Sequence, residues 1–145
     1  MQHFLAQHLA QRQVHLLLLF HQHGDRVMVH ARVEGLKPGQ EHGFHVHEKG
    51  DCSSADGMST GGHFNPTGKP HGPQDADHHA GDLPALKADG SGRVDAKFYV
   101  TGVTLGSGIA DIVGKGLIVH AMPDDYRTQP TGNAGGRIAC GVIAR

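Results

Sequence analysis

The 145-residue chain has no tryptophan, and phenylalanine and tyrosine bring the aromatic share to only 5%. A core of ordinary size must therefore be filled by aliphatic side chains rather than large rings. Cysteine is nearly absent too: Cys52 and Cys140 are too few for a disulfide-dense scaffold and too far apart for a Cys-x-x-Cys metal site. They are compatible with one bridge or with two buried thiols. Neither sign of charge dominates, since the net charge is −1 with histidine neutral. Nucleic acid and acidic lipid surfaces are not indicated as partners. No stretch approaches the ~18 consecutive apolar residues of a membrane span. The longest apolar run, Leu16 to Phe20, is five residues flanked by histidines, unlike the apolar region of a secretory leader. Those absences leave a chain expected to be cytosolic or already processed after export.

Glycine and histidine are abundant instead, at 22 and 14 residues. Glycine scattered among short apolar runs suits many turns and close backbone approaches better than long helices. Histidine is the commonest metal ligand and the side chain that titrates nearest neutral pH. The length fits one domain with a substantial core.

From Arg26 the pattern is strand-like. Val27, Val29, Ala31 and Val33 alternate with Arg26, Met28, His30, Arg32 and Glu34. Leu36-Lys37-Pro38-Gly39-Gln40 supplies turn chemistry, and 41–48 reads as the next strand. Further strands are expected at 83–88, at 93–100 after the Asp89-Gly90-Ser91-Gly92 turn, at 115–120 and at 137–143. Residues 49–81 show no apolar periodicity, and a loop of that length is uncommon unless functional or disordered. Short alternating strands without a convincing long helix argue an all-β sandwich or barrel. Residues 1–23 are least legible, and within them residues 1–12 are readable as a short helix or a ragged strand. Their histidines, His3, His8, His15, His21 and His23, are open to metal binding or to a plain surface role.

The chemistry starts at Phe44-His45-Val46-His47. Alternation along a strand points His45 and His47 one way and Phe44 and Val46 the other. Two imidazoles so placed can converge on one transition metal, while the apolar pair anchors the strand. Downstream stand His63, His71, His78, His79 and Asp82, and His120 ends another strand. Nitrogen-rich sets suit copper and zinc, and a carboxylate readily joins nitrogen at zinc.

In order, GFHVHEKGDC, GGHFNPTGKPHGP, HHAGDLP, GLIVHAMPDD and GNAGGRIACGVI resemble the copper,zinc superoxide dismutases, over about residues 27–145. The resemblance implies an eight-stranded Greek-key β-barrel, a flattened sandwich with long metal-binding loops; the sandwich architectures include this family. It implies copper at His45, His47, His63 and His120. Zinc would sit at His63, His71, His79 and Asp82, so that His63 bridges the two ions. The family's His-x-Gly-Asp pattern selects His79 over His78. Asp124 matches the carboxylate that accepts hydrogen bonds from one ligand of each metal, Arg137 the guanidinium beside the copper channel, and Thr131 its rim. Cys52 and Cys140 match the family's disulfide. The implied substrate is superoxide, converted to oxygen and hydrogen peroxide by alternating copper oxidation states. In that mechanism His63 leaves reduced copper, takes a proton and later gives it to peroxide. Anion steering and near-diffusional rates are general properties known for this enzyme class.

Three departures carry expectations. The spacing from His71 to His79 is one residue shorter than usual, with Gly72-Pro73 where a triplet is common, which predicts altered or weaker zinc geometry. The segment between His120 and Arg137 resembles bacterial members, which are generally exported, so a mature periplasmic form is expected over a cytoplasmic one. Residues 1–23 fit the family's first two strands poorly, leaving a histidine-rich copper-collecting arm, an unusually filled strand pair or a sequence artefact. Family members include monomers and dimers, so a homodimer is among the allowed states. Two competing functions remain at this level: a copper-delivery protein on the same barrel, and a purely structural barrel. Retention of Arg137 and of every ligand position favours the enzyme.

Overall fold

The structure is a computed structural model that describes residues 14–144, together with strand placements at Gln2–Leu5 and Gln7–His8. Two four-stranded antiparallel sheets make up the molecule. The first orders β1 (Gln2–Leu5), β3 (His15–His23), β4 (Arg26–Glu34) and β8 (Val94–Thr101). The second orders β2 (Gln7–His8), β10 (Arg137–Val142), β9 (Gly116–His120) and β6 (Phe44–His47). A two-stranded ribbon joins β5 (Glu41–His42) to β7 (Leu86–Lys87). After β4 the chain crosses to the second sheet and returns as β8 beside β4, a Greek-key path. Among the described residues no helix is long and apolar enough to cross a membrane.

Alternation fills the interior as the strand period requires. Leu16, Leu18 and Phe20 of β3 and Val27, Val29, Ala31 and Val33 of β4 are buried, facing Phe44, Val46, Leu117, Val119 and Ala139 of the second sheet. Phe44 meets Phe98 edge-on at 6.5 Å between centroids, one of the few aromatic contacts in an otherwise aliphatic core.

Residues 15–23, the end of the stretch least legible in the sequence, are a regular nine-residue strand, paired with β4 from His15↔Glu34 to His23↔Arg26. A two-residue Gly24-Asp25 hairpin joins them, with Gly24 at φ +60°, the left-handed conformation such tight hairpins need. The strand expected at 83–88 shrinks to Leu86–Lys87, since Pro84 has no N–H to offer a ladder. The side chains of His3 and His8 lie outside the described residues.

Candidate metal centre

The second sheet and the loops over it bring the predicted histidines together. His45 and His47 lie on β6, whose one edge pairs with β9 (Phe44↔Val119, His47↔Gly116). Its other edge is bridged by loop residues: His45↔Asp82 and His47↔His63. His120 ends β9 in register with Arg137 of β10. One nitrogen from each of His45, His47, His63 and His120 falls within 4.8 Å of the others. A second group, within the same limit, joins His45 and His63 to His71 and Asp82. All these side chains are buried.

Hydrogen bonds fix where each ring carries its proton. His47 Nδ1 donates to the Gly61 carbonyl at 2.8 Å, and His120 Nδ1 donates to the Gly135 carbonyl at 3.3 Å. Their Nε2 lone pairs therefore face each other, 3.4 Å apart. His45 Nε2 donates to Asp124 Oδ2 at 2.7 Å, leaving its Nδ1 buried and unpartnered; His63 Nε2 is buried and unpartnered too. Lone pairs pressed together in a dry interior repel unless a cation lies among them. The donor set thus fits a metal ion.

On the other side His63 Nδ1 lies 3.1 Å from Asp82 Oδ1 and 3.2 Å from His79 Nδ1. Asp82 Oδ1 is also 2.8 Å from His71 Nδ1 and 3.5 Å from His79 Nδ1. Around a tetrahedral zinc ion, with Zn–N of about 2.0–2.1 Å, neighbouring donors sit about 3.3–3.4 Å apart. These four donor-to-donor distances, 2.8–3.5 Å, lie on either side of that edge length. His78 is turned away, its Nδ1 on the His79 carbonyl at 2.6 Å.

Asp124 joins the two groups: Oδ2 accepts from His45 and Oδ1 accepts from His71 Nε2 at 2.8 Å. Gly132 packs against that second bond, where an added Cβ would overlap Asp124 Oδ1 and His71 Nε2. The 121–136 loop also holds His71 by its backbone. Gln129 Oε1 accepts from His71 N at 2.7 Å, and its Nε2 donates to the His71 carbonyl at 2.8 Å. Tyr126 lies nearly parallel to the His71 ring, at 6° and 6.3 Å between centroids.

Titration follows from these surroundings. Burial is the largest influence on His47, His63 and His120 and pushes them down to about 2, 4 and 3. Burial also lowers His71, but hydrogen bonds to Asp124 and Asp82 outweigh it and raise the ring to about 9. Burial would raise Asp82, yet hydrogen bonds from His63, His71 and His79 hold it well below the carboxylate range.

A cavity of about 840 Å³ opens onto this cluster, lined by His63, His120, Thr131, Asp56, Met58 and Arg137 among others. Arg137 Nη1 lies 2.7 Å from the Gly61 carbonyl, 2.8 Å from Thr60 Oγ1 and 3.1 Å from the Gly57 carbonyl. All three bonds use Nη1. The disulfide Cys52–Cys140 fastens the 48–62 loop to β10. His42 is a residue that sequence reasoning missed: buried, it donates from Nδ1 to the His120 carbonyl at 2.7 Å. Its only sequence signal was a third histidine beside His45 and His47.

The family model for copper/zinc superoxide dismutase matches residues 17–143. A superoxide dismutase [Cu-Zn] of Aquifex aeolicus is 43% identical over 122 residues, covering 81% of this chain and 71% of that protein. An extracellular superoxide dismutase [Cu-Zn] of Drosophila melanogaster is 44% identical over 127 residues, covering 83% and 68%. Among solved structures, a double mutant of a SOD-like protein from Bacillus subtilis aligns with a TM-score of 0.89 at 36% identity, over 99% of this chain and 97% of that one. The chain belongs to the copper/zinc superoxide dismutase family, a family of oxidoreductases.

Proposed function

We propose that this chain dismutates superoxide, with copper held by His45, His47, His63 and His120 and zinc by His63, His71, His79 and Asp82. The observation that carries the reading is the His63 ring. Its Nδ1 stands among the Asp82 and His79 donors, while its Nε2 is buried without a partner and is left for the other group. Copper supplies a one-electron couple; zinc, which has no redox chemistry, supplies charge and rigidity.

The chain's own residues then have distinct tasks in converting two superoxide ions and two protons to oxygen and hydrogen peroxide. Arg137, charged at any working pH, offers Nη2 and Nε to a small anion entering past Thr131. Its Nη1 is fixed to the loop, so the free nitrogens are held in place. His63 lines the cavity and its Nε2 has no partner of its own, so a proton held there would be passed to a peroxide anion in the cavity. Asp124 keeps the His45 and His71 rings turned so that their free nitrogens face inward. An exported location is supported by the disulfide, by the extracellular relative and by the persistence of such bridges in oxidising compartments.

Metal analysis of the purified protein, paired with a dismutase assay on the same sample, tests the reading. Copper and zinc at one equivalent each with catalysed dismutation are expected, and His120→Ala should abolish the activity. Full activity in that variant, or an active sample free of copper, would overturn it.

A further inference from the structure

The outer face of the first sheet carries a histidine group of its own. His21 and His23 stand two residues apart on β3, beside the Gly24-Asp25 hairpin. Their ring centroids are 4.5 Å apart at 64°. The His45–His47 pair, with the same spacing on a strand, stands at 6.3 Å, so the outer rings lean together more closely than the buried ones. His21 Nδ1 is shut off from water and has no hydrogen-bond partner. That is an unsatisfied nitrogen on an otherwise solvated face.

Met28 supplies a third donor. It is directly across from His21 on β4 and partly exposed. Cross-strand neighbours share a face with Cβ atoms about 4.5–5.5 Å apart, within reach of a thioether. The nearby cation is occupied elsewhere: the Arg26 guanidinium, opposite His23, lies 4.3 Å from the Tyr99 ring centroid. Tyr99 in turn meets the His23 ring edge-on at 5.8 Å.

We propose that His21, His23 and Met28 form an exterior copper site, separate from the buried centre and selective for Cu(I) over zinc. Imidazole nitrogen serves either metal, but a thioether is a soft ligand that favours Cu(I). Zinc sites draw on thiolate, imidazole and carboxylate instead. The inward face of the same strands is packed with Leu18, Phe20, Val27 and Val29, which separates this site from the buried one. It does not depend on the dismutase reading.

The test starts from protein whose buried sites already hold copper and zinc. Cu(I) is added under anaerobic, reducing conditions in competition with a chromogenic Cu(I) chelator. The wild type should take up one further equivalent. The double variant His21→Asn/His23→Asn should lose it while keeping its dismutase rate and thermal midpoint. Met28→Leu should weaken Cu(I) about tenfold or more, the scale of a disturbed metal site, and leave zinc competition unchanged. With Cu(II) as the probe, quenching of tyrosine emission should vanish in Tyr99→Phe, a clean readout in a chain with two tyrosines and no tryptophan. No further equivalent in the wild type, or an equivalent that survives in the double variant, overturns the site. Zinc displacing Cu(I) at equal concentration overturns the selectivity.

Discussion

The side-chain amide of Gln129 pairs with both backbone polar groups of His71, accepting from its N–H at 2.7 Å and donating to its carbonyl at 2.8 Å. The two residues are 58 positions apart, and the pairing makes the 121–136 loop a clamp on the His71–Asp82 side of the centre. With Asp124 on Nε2 and Tyr126 beside the ring, one short segment fixes His71 by main chain and by side chain.

Gln129→Ala should therefore loosen zinc more than copper. Removing a group that orients a ligand typically costs 10–100-fold in affinity, and about tenfold is expected here because Asp124 still holds the ring. Gln129→Glu keeps the acceptor and loses the donor, so it should fall between wild type and Ala. Competition titrations with a zinc chelator check both; equal zinc affinity in all three proteins would show the clamp to be idle.

Arg137→Ala should lower the dismutation rate by about tenfold or more, within the range of electrostatic steering. The more diagnostic change is in salt dependence, because a steering charge is screened as ionic strength rises. Rates measured from low to high salt should fall less steeply in the variant, and an unchanged slope would remove Arg137 as the guide.

The metal-free protein should be most stable near neutral pH. His71 is raised from 6.5 to about 9, so the folded chain holds its proton more tightly than the unfolded chain. Its stabilising effect is complete below pH 6.5 and is lost as pH climbs through about 9. His63 and His120 are lowered from 6.5 to about 4 and 3 by burial, so the unfolded chain gains protons first and stability falls as pH drops below 6.5. Zinc displaces the His71 proton, so the alkaline decline should disappear in the zinc-loaded protein. Thermal midpoints against pH, with and without zinc, check both limbs.

Replacing Cys52 and Cys140 by serine should destabilise the protein by at most about 4–5 kcal/mol, the chain-entropy figure for an 88-residue separation. Denaturant unfolding of variant and parent gives the difference. The variant should also show a lower rate with normal metal content, because the loop that seats Arg137 is less firmly placed.

The centre was largely legible because its parts sit in compact local patterns: His-x-His on a strand, His79 three residues before Asp82, His120 at a strand end. The clamp was not, since nothing local to Gln129 or Tyr126 points to a partner near position 71. Residues 15–23 hid their strand for another reason. Leu16 and Leu18 are buried and Leu17 is 39% exposed, so leucine fills both faces and erases the two-residue period that marks a strand. The Gly24-Asp25 pair was the available hairpin signal, and it ties 15–23 into the sheet as an integral strand rather than an appended arm. At 83–88 the apolar character overstated the strand, which Pro84 cuts short.

Arg137 and Cys140 share β10, while the carbonyls that grip the guanidinium, at Gly57 and Gly61, belong to the loop anchored by Cys52. The bridge thus closes a small mechanical circuit: strand, sulfur, loop and back to the arginine. Thiol oxidation during maturation then has two products, a sturdier molecule and a better-aimed one. Where reductant reaches the bridge, the loss of aim should show in the turnover of newly arriving anions before it shows in unfolding.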